Sequence, residues 1–132
     1  MMPKSRSMSL NLTKDNLIEL EFHVLSGLKR TASVAAILDT AFTGDIALPI
    51  ELAFKLDLDI ENFSKHPVEY ADGDGFAPVS ILKIEFFDII IGVQVYWLED
   101  GSEALVGTKL LQRVRNISNI DFVRKIAKLE FK

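Results

Sequence analysis

Short segments in which apolar and polar residues alternate recur along the chain. In LIELEFHVL, residues 17–25, apolar residues alternate with two glutamates and His23. Because successive side chains of a strand point to opposite faces, this period of two predicts a half-buried strand. Similar apolar runs predict strands at residues 33–38, 68–71, 76–86, 89–98, 104–106, 118–122 and 127–131.

Two segments predict short helices instead. PIELAFKLDL begins with Pro49, which the first helical turn tolerates, and places Glu51 and Lys55 at an i,i+4 spacing. Thr108 can cap a helix of one to two turns over KLLQRV, which the cations Arg113 and Arg115 would end. Six to eight short strands with two short helices predict an all-β domain, a closed or nearly closed barrel.

The length and composition are those of one globular domain. With 132 residues the chain can bury a core but is too short for two domains. We predict a flexible N-terminal tail over residues 1–12 and a single domain over residues 13–132. The formal net charge of −4 gives no sign of nucleic-acid binding, and the absence of cysteine excludes disulfides and thiolate chemistry. Without a secretory signal or a membrane-length apolar run, we expect a cytoplasmic protein with no membrane partner.

The motif ILDTAFTGD, residues 37–45, ends an apolar run in Asp39 and has two interpretations. Asp and Thr are common where strands end, because their side chains form hydrogen bonds with the local backbone. Alternatively, Asp39 is a catalytic carboxylate held where the chain leaves the sheet. The motif alone favours a turn, and the surrounding segments favour catalysis.

The order of these segments resembles that of the retropepsin-like aspartic proteases, the single-lobe family that includes the retroviral proteases. It is most similar to small prokaryotic members, in which Asp-Thr-Gly-Phe-Thr-Gly precedes a Leu-Pro helix start. This chain has LDTAFTGDIALP at residues 38–49, and LVGTKLL at residues 105–111 is similar to the family's late Leu-Leu-Gly-x-x-Leu-Leu segment. NISNIDF and IAKLEF resemble the family's closing pair of strands. The resemblance covers residues 17–132 and implies a retropepsin-like barrel.

The resemblance implies an aspartic endopeptidase that works as a homodimer. Two carboxylates held about 3 Å apart cannot both be charged, so they share one proton and act together as acid and base. The Asp39 residues of two subunits would meet across a two-fold axis and activate a water that hydrolyses a peptide bond. In the family, the residue that corresponds to Thr40 ties the two active-site loops together, and the one that corresponds to Gly107 lets a helix pack under the active-site strand. No metal or organic cofactor is implied.

The chain departs from the family motif at Ala41, where the family has glycine. Glycine is used where backbone must approach another chain closely, so the added methyl group can crowd the second subunit or the substrate. Two alternatives to proteolysis therefore stay open. One is a catalytically weak or inactive dimer that binds peptides or partners through the same cleft. The other is a structural or regulatory protein that shares only the fold.

The sequence DGDG, residues 72–75, predicts a hairpin between two apolar runs. In the family this hairpin is the flap that closes over an extended polypeptide substrate. A calcium loop is excluded, because position 76 offers no ligand and the expected glutamate is missing. Because this hairpin corresponds to the family's flap, the resemblance implies substrate binding by Phe42, Asp72, Gly73, Asp74 and Gly75.

A serine hydrolase is a different possibility that the sequence argues against, because it has no Gly-x-Ser-x-Gly elbow.

Overall fold

The structure is a computed structural model that describes residues 10–12, 17–27, 29–70 and 73–118. Its helices are α1 (Ile50–Lys55), α2 (Thr108–Ser118) and one turn of 3-10 helix over Ile60–Asn62. No helix in these described ranges is long and apolar enough to cross a membrane. The strands are β1 (Leu10–Leu12), β2 (Ile18–Ser26), β3 (Lys29–Leu38), β4 (Ile46–Pro49), β5 (Ser64–Tyr70), β6 (Gly73–Phe86), β7 (Ile89–Leu98) and β8 (Leu105–Val106).

The strands form one mixed sheet that closes into a ring. Their order is β1-β2-β3-β8-β4-β7-β6-β5, and a further pairing of β2 with β6 closes the ring. The pairs β3–β8 and β4–β7 are parallel, whereas the other neighbours are antiparallel. The prediction of an all-β domain with short helices is confirmed.

The ring encloses an apolar core to which the strands contribute alternate side chains. Every second residue of β7 from Ile91 to Trp97 is buried. The Trp97 ring stacks on Phe63 with centroids 5.7 Å apart, and its Nε1 donates a hydrogen bond to Ser80 Oγ at 2.8 Å. Trp97 is therefore a core residue whose polar atom is satisfied, as buried tryptophans require.

β6 serves both the ring and the hairpin. Its first half pairs with β5 and its second half with β2. The buried positions change along the strand, from the odd-numbered Ala77 and Val79 to the even-numbered Ile84 and Phe86. The β5–β6 hairpin is thus a continuous extension of the ring.

Most predicted elements are present, with some differences in extent. The strands predicted at residues 17–25, 33–38, 89–98 and 104–106 correspond to β2, β3, β7 and β8, and the helix after Pro49 is α1. The predicted hairpin is present as β5 and β6, which pair as far as Tyr70 with Gly73. Residues 73–75, which we predicted as part of its turn, belong to β6 instead, and residues 71–72 lie outside the described part of the chain.

α2 is longer than the one or two turns that the sequence predicted. It has 11 residues and continues past Arg113 and Arg115, where we expected it to end. Its buried side chains Leu110, Leu111 and Val114 form an apolar stripe against the core, and cations are favourable near the C-terminal end of a helix, so the two arginines do not by themselves end it.

The two ends of the chain lie largely outside the described residues. Residue 118 belongs to α2, so the strand predicted at 118–122 is wrong at its first residue. The remainder of that strand, and the strand predicted at 127–131, lie outside the described residues. The predicted tail, residues 1–12, overlaps β1, which pairs with β2.

A buried ion pair joins three elements of the fold. Asp45, just before β4, is 2% exposed, and its Oδ2 accepts hydrogen bonds from Arg113 Nη1 at 2.6 Å and from the Gln94 backbone N–H at 3.0 Å. Arg113 Nη2 also donates to the Gly92 carbonyl at 2.8 Å. Asp45 Oδ1 has no partner among the described residues. The guanidinium is therefore the main compensation for burying this carboxylate.

We expect Arg113→Met to lower the free energy of unfolding by about 2–4 kcal/mol, because it leaves the buried Asp45 carboxylate without its cation. Asp45→Asn should cost less, since the Arg113 side chain is 36% exposed and can be hydrated. Urea unfolding followed by the fluorescence of Trp97 measures both losses.

The surface pair of Arg30 and Glu85 provides the matched control, since its side chains are 60% and 23% exposed. Arg30→Met should change the unfolding free energy by less than about 1 kcal/mol. If Arg113→Met cost no more than Arg30→Met, the buried pair would not be holding α2 to the sheet.

Candidate active site

The chain leaves β3 in a tight turn that begins at Asp39. The Asp39 N–H donates to the Val106 carbonyl at 3.0 Å, which continues the pairing of β3 with β8. Its carbonyl accepts from the Phe42 N–H at 3.0 Å, and its Oδ1 accepts from the Ala41 N–H at 3.0 Å. Three hydrogen bonds therefore hold both the backbone and the carboxylate of Asp39.

A turn-forming Asp makes the same hydrogen bond through its Oδ1, so turn formation accounts for this contact. Asp39 is also half-buried and lines a cleft. No described residue donates a hydrogen bond to its Oδ2. Asp39 therefore shapes the turn with one oxygen and leaves the other available to a molecule in the cleft.

The predicted residues of this turn lie together. Asp39, Ala41 and Phe42 line the same cleft. Thr40 is exposed next to them, with its side chain at the surface of this chain. Its hydroxyl therefore lies beside the carboxylate at the surface of the chain.

The predicted hairpin residues are farther along the sheet. Asp72 lies outside the described residues, and residues 73–75 begin β6, where their backbone pairs with β5. The hairpin contributes Pro67 of β5 to the cleft that holds Asp39. The middle of the hairpin therefore reaches the candidate site.

The cleft has a volume of about 680 Å³ and is lined by several separate parts of the chain. The β3–β4 turn provides Asp39 and the residues after it. The non-core face of β7 provides Gln94, Tyr96 and Leu98, and α2 provides Lys109. The lining is thus mixed, with apolar and aromatic surface beside one carboxylate and one ammonium group among the described residues.

Phe42 and Tyr96 form an aromatic wall of the cleft. Their rings meet edge to face with centroids 5.7 Å apart, and the His66 ring lies 6.3 Å from that of Tyr96. Gly44 leaves space for this arrangement, because a Cβ there would lie 2.8 Å from the Phe42 ring and 3.1 Å from the Tyr96 ring. The glycine lets Phe42 fold back over the turn.

Gly107, between β8 and α2, packs directly against the backbone of the same turn. Its N–H donates to the Asp45 carbonyl at 2.8 Å, and the Thr108 N–H donates to the Phe42 carbonyl at 3.1 Å. A Cβ on Gly107 would lie 2.1 Å from the Gly44 carbonyl oxygen. Only a residue without a side chain permits this approach.

Three residues of the cleft were not predicted from the sequence: Gln94, Tyr96 and Lys109. A signal for the first two was present, because they are the more polar residues in the alternation of β7. Lys109 also had a signal: it places a cation in the first turn of a helix, where an anion is favoured. Neither signal says which other segment these residues face, since that depends on non-local strand pairing.

We expect Gly107→Ala to destabilise the protein by about 2–3 kcal/mol, because the methyl group would push the turn away from β8. The melting temperature measures this loss. Gly92→Ala is the matched control, because a Cβ at Gly92 meets nothing within 4 Å. Equal melting temperatures for the two variants would mean that the turn does not need this contact.

The fold of this chain is similar to those of several solved structures, including the following two. A retropepsin-like aspartic protease from Rickettsia conorii has a TM-score of 0.62 and 22% sequence identity, over 79% of this chain and 84% of that one. The simian foamy virus (mac) protease has a TM-score of 0.51 and 15% identity, over 76% of this chain and 96% of that one. No family model matches the sequence, and no curated protein matches it significantly. The chain has a retropepsin-like fold, as its sequence resemblance predicted.

Proposed function

We propose that the protein is an aspartic-type endopeptidase that acts as a homodimer. The observation that carries this proposal is the placement of Asp39, held by three hydrogen bonds at the end of β3 and lining a cleft in a retropepsin-like fold. The fold by itself does not imply an activity, so the proposal depends on this carboxylate.

Each chain supplies half of the acid–base pair. A single ionised carboxylate can accept a proton but has none to donate, whereas two carboxylates in contact retain one proton between them. A two-fold axis beside the β3–β4 turn would bring Asp39 of each subunit together, with both clefts joined into one. Thr40, exposed in each chain, would hold the two turns in register.

The proposed reaction then needs only water and this shared proton. The ionised carboxylate takes a proton from water as the water oxygen bonds to the peptide carbonyl carbon. The protonated carboxyl gives its proton to the carbonyl oxygen. Collapse of the tetrahedral intermediate breaks the C–N bond: the leaving nitrogen takes up the proton that came from water, and the second carboxylate takes back the proton of one hydroxyl as the C=O bond forms again. The pair is then left with one shared proton, as at the start. The chemistry requires no metal or organic cofactor.

The proposed substrate is an extended polypeptide. An extended chain can add to exposed strand edges by backbone hydrogen bonds while its side chains enter pockets. The aromatic wall of Phe42 and Tyr96 fits an apolar side chain. The hairpin, which contributes Pro67 to the cleft and whose strand β6 begins at Gly73, would close over the bound peptide and exclude water.

Ala41 is compatible with this proposal. The described residues with positive φ outside glycine are Asp57, Phe87 and Asp88, so the backbone at Ala41 does not need glycine. Its side chain is exposed and lines the cleft. The methyl group therefore has room within the chain, and any crowding comes from substrate or the second subunit.

That same position supports the alternative function, a dimer that binds peptides or partners in the cleft and cleaves weakly or not at all. A methyl group at the cleft surface beside Asp39 would displace a peptide backbone from the attacking water more than it would weaken binding.

A cytoplasmic site of action, which the sequence led us to expect, stays a prediction.

We expect Asp39→Asn to lower kcat/KM on denatured casein by at least about 100-fold, because the amide cannot accept the proton from water. The exchange is nearly isosteric, so the dimer and fold should persist. Analytical ultracentrifugation and circular dichroism measure both. Asp100→Asn, at an exposed turn position, is the matched control and should be as active as the unaltered protein. Cleavage by pure Asp39→Asn at an unreduced rate would remove Asp39 from the mechanism.

We expect Ala41→Gly to preserve or raise activity. Relief of about 1 kcal/mol of crowding in the transition state would increase kcat/KM about fivefold. Peptide affinity, measured separately on the Asp39→Asn background, should change little. A large decrease in kcat/KM would show that the site is adapted to alanine.

A further inference from the structure

Lys109 lines the same cleft as Asp39, so a molecule bound there comes within reach of its long, exposed side chain. It is an exposed residue in the first turn of α2, and it lines the cleft together with the aromatic wall and Leu105. Among the described lining residues, Asp39 and Lys109 are the charged ones. The cleft therefore has an apolar wall, a carboxylate at the β3–β4 turn and a cation at the start of α2.

Helix stability does not explain a lysine at this position. The N-terminal end of a helix carries a partial positive charge, which repels a cation in the first turn. No acidic residue in the first turn of α2 compensates for it. The ion pairs formed between described residues involve Arg30 and Arg113, not Lys109. The ammonium group is left available to a molecule in the cleft.

We propose that Lys109 makes the cleft selective for peptides that carry an Asp or Glu side chain beside an apolar residue. The apolar side chain would pack on Phe42 and Tyr96, and the carboxylate would pair with the Lys109 ammonium group. This inference rests on the proposed function as a peptide-binding cleft. It adds the substrate class, which neither the fold nor Asp39 specifies.

The proposed dimer adds a second feature to this selectivity. A two-fold axis through the Asp39 pair places one Lys109 on each side of the cleaved bond. Acidic residues should therefore be favoured at two positions, one on the amino-terminal side of the bond and one on the carboxyl-terminal side. A peptide with one acidic residue on each side should be the best substrate.

The first experiment compares synthetic peptides built around one central Phe–Leu bond, with Glu, Gln or Lys at each flanking position in turn. The unaltered protein should favour Glu over Gln about two- to fivefold in kcat/KM at the selected positions, the size of one exposed ion pair. Lys109→Met should abolish this ratio and Lys109→Glu should reverse it in favour of Lys. Lys83→Met, at an exposed position of β6, is the matched control and should keep the ratio.

Raising the salt concentration tests the electrostatic origin of the ratio. Exposed ion pairs are screened at high ionic strength, so the preference for Glu over Gln should shrink as salt is added. A preference that persists in Lys109→Met, or that is absent from an active unaltered protein, would overturn the role of Lys109. An equal fall of kcat in Lys109→Met on all peptides, neutral ones included, would also overturn the role of Lys109.

The second experiment separates this inference from the proposed protease activity. Binding of the same peptides, labelled for fluorescence anisotropy, is measured on Asp39→Asn and on Asp39→Asn/Lys109→Met. Tighter binding of Glu peptides only when Lys109 is present, together with no cleavage of any peptide by the unaltered protein, would support the acidic subsite and reject proteolysis. Cleavage by the unaltered protein with no Glu preference in either assay would reject the subsite and leave proteolysis standing.

Discussion

Backbone contact between the turn that follows β3 and the junction of β8 with α2 determines the geometry of the cleft. Asp39 and Val106, Asp45 and Gly107, and Phe42 and Thr108 are joined by backbone hydrogen bonds of 2.8–3.1 Å. Gly107 allows the two backbones to approach closely enough for all three. Because a strand end and a helix start are fixed together, the carboxylate at the turn and the side chains of the first turn of α2 face one cleft.

Charge adds a second connection between the same elements. Asp45 precedes β4 in the chain, and Arg113 lies on α2, yet the two meet beside the β7 backbone. Removing the cation of such a pair destabilises a protein by more than the intact pair stabilises it, because the remaining carboxylate stays buried. The pair therefore contributes most to specificity: it penalises arrangements in which α2 slides along the sheet. Backbone contacts set how close the turn and α2 are, and this ion pair sets their register.

The candidate site is asymmetric within one chain and would become symmetric in a dimer. One chain presents the Asp39 carboxylate, whose Oδ2 accepts no hydrogen bond from a described residue, an exposed hydroxyl at Thr40 and one cleft. Acid–base chemistry with a shared proton needs a second such carboxylate. The same symmetry would double the aromatic wall and the Lys109 ammonium group. Substrate selectivity and catalysis would then both depend on a single interface, so a change at that interface would affect both.

The sequence by itself determined the features that depend on local pattern. The period of two in β2 and β7 predicted those strands, and the order of an apolar run, Asp39 and a Thr-Gly turn predicted the candidate carboxylate. Tertiary structure decided what faces that carboxylate. Tyr96 reaches the cleft because β7 pairs in parallel with β4, and Lys109 does so because the β8–α2 junction packs against the turn. These contacts join residues far apart in the chain, and local periodicity carries no information about which distant segments pair.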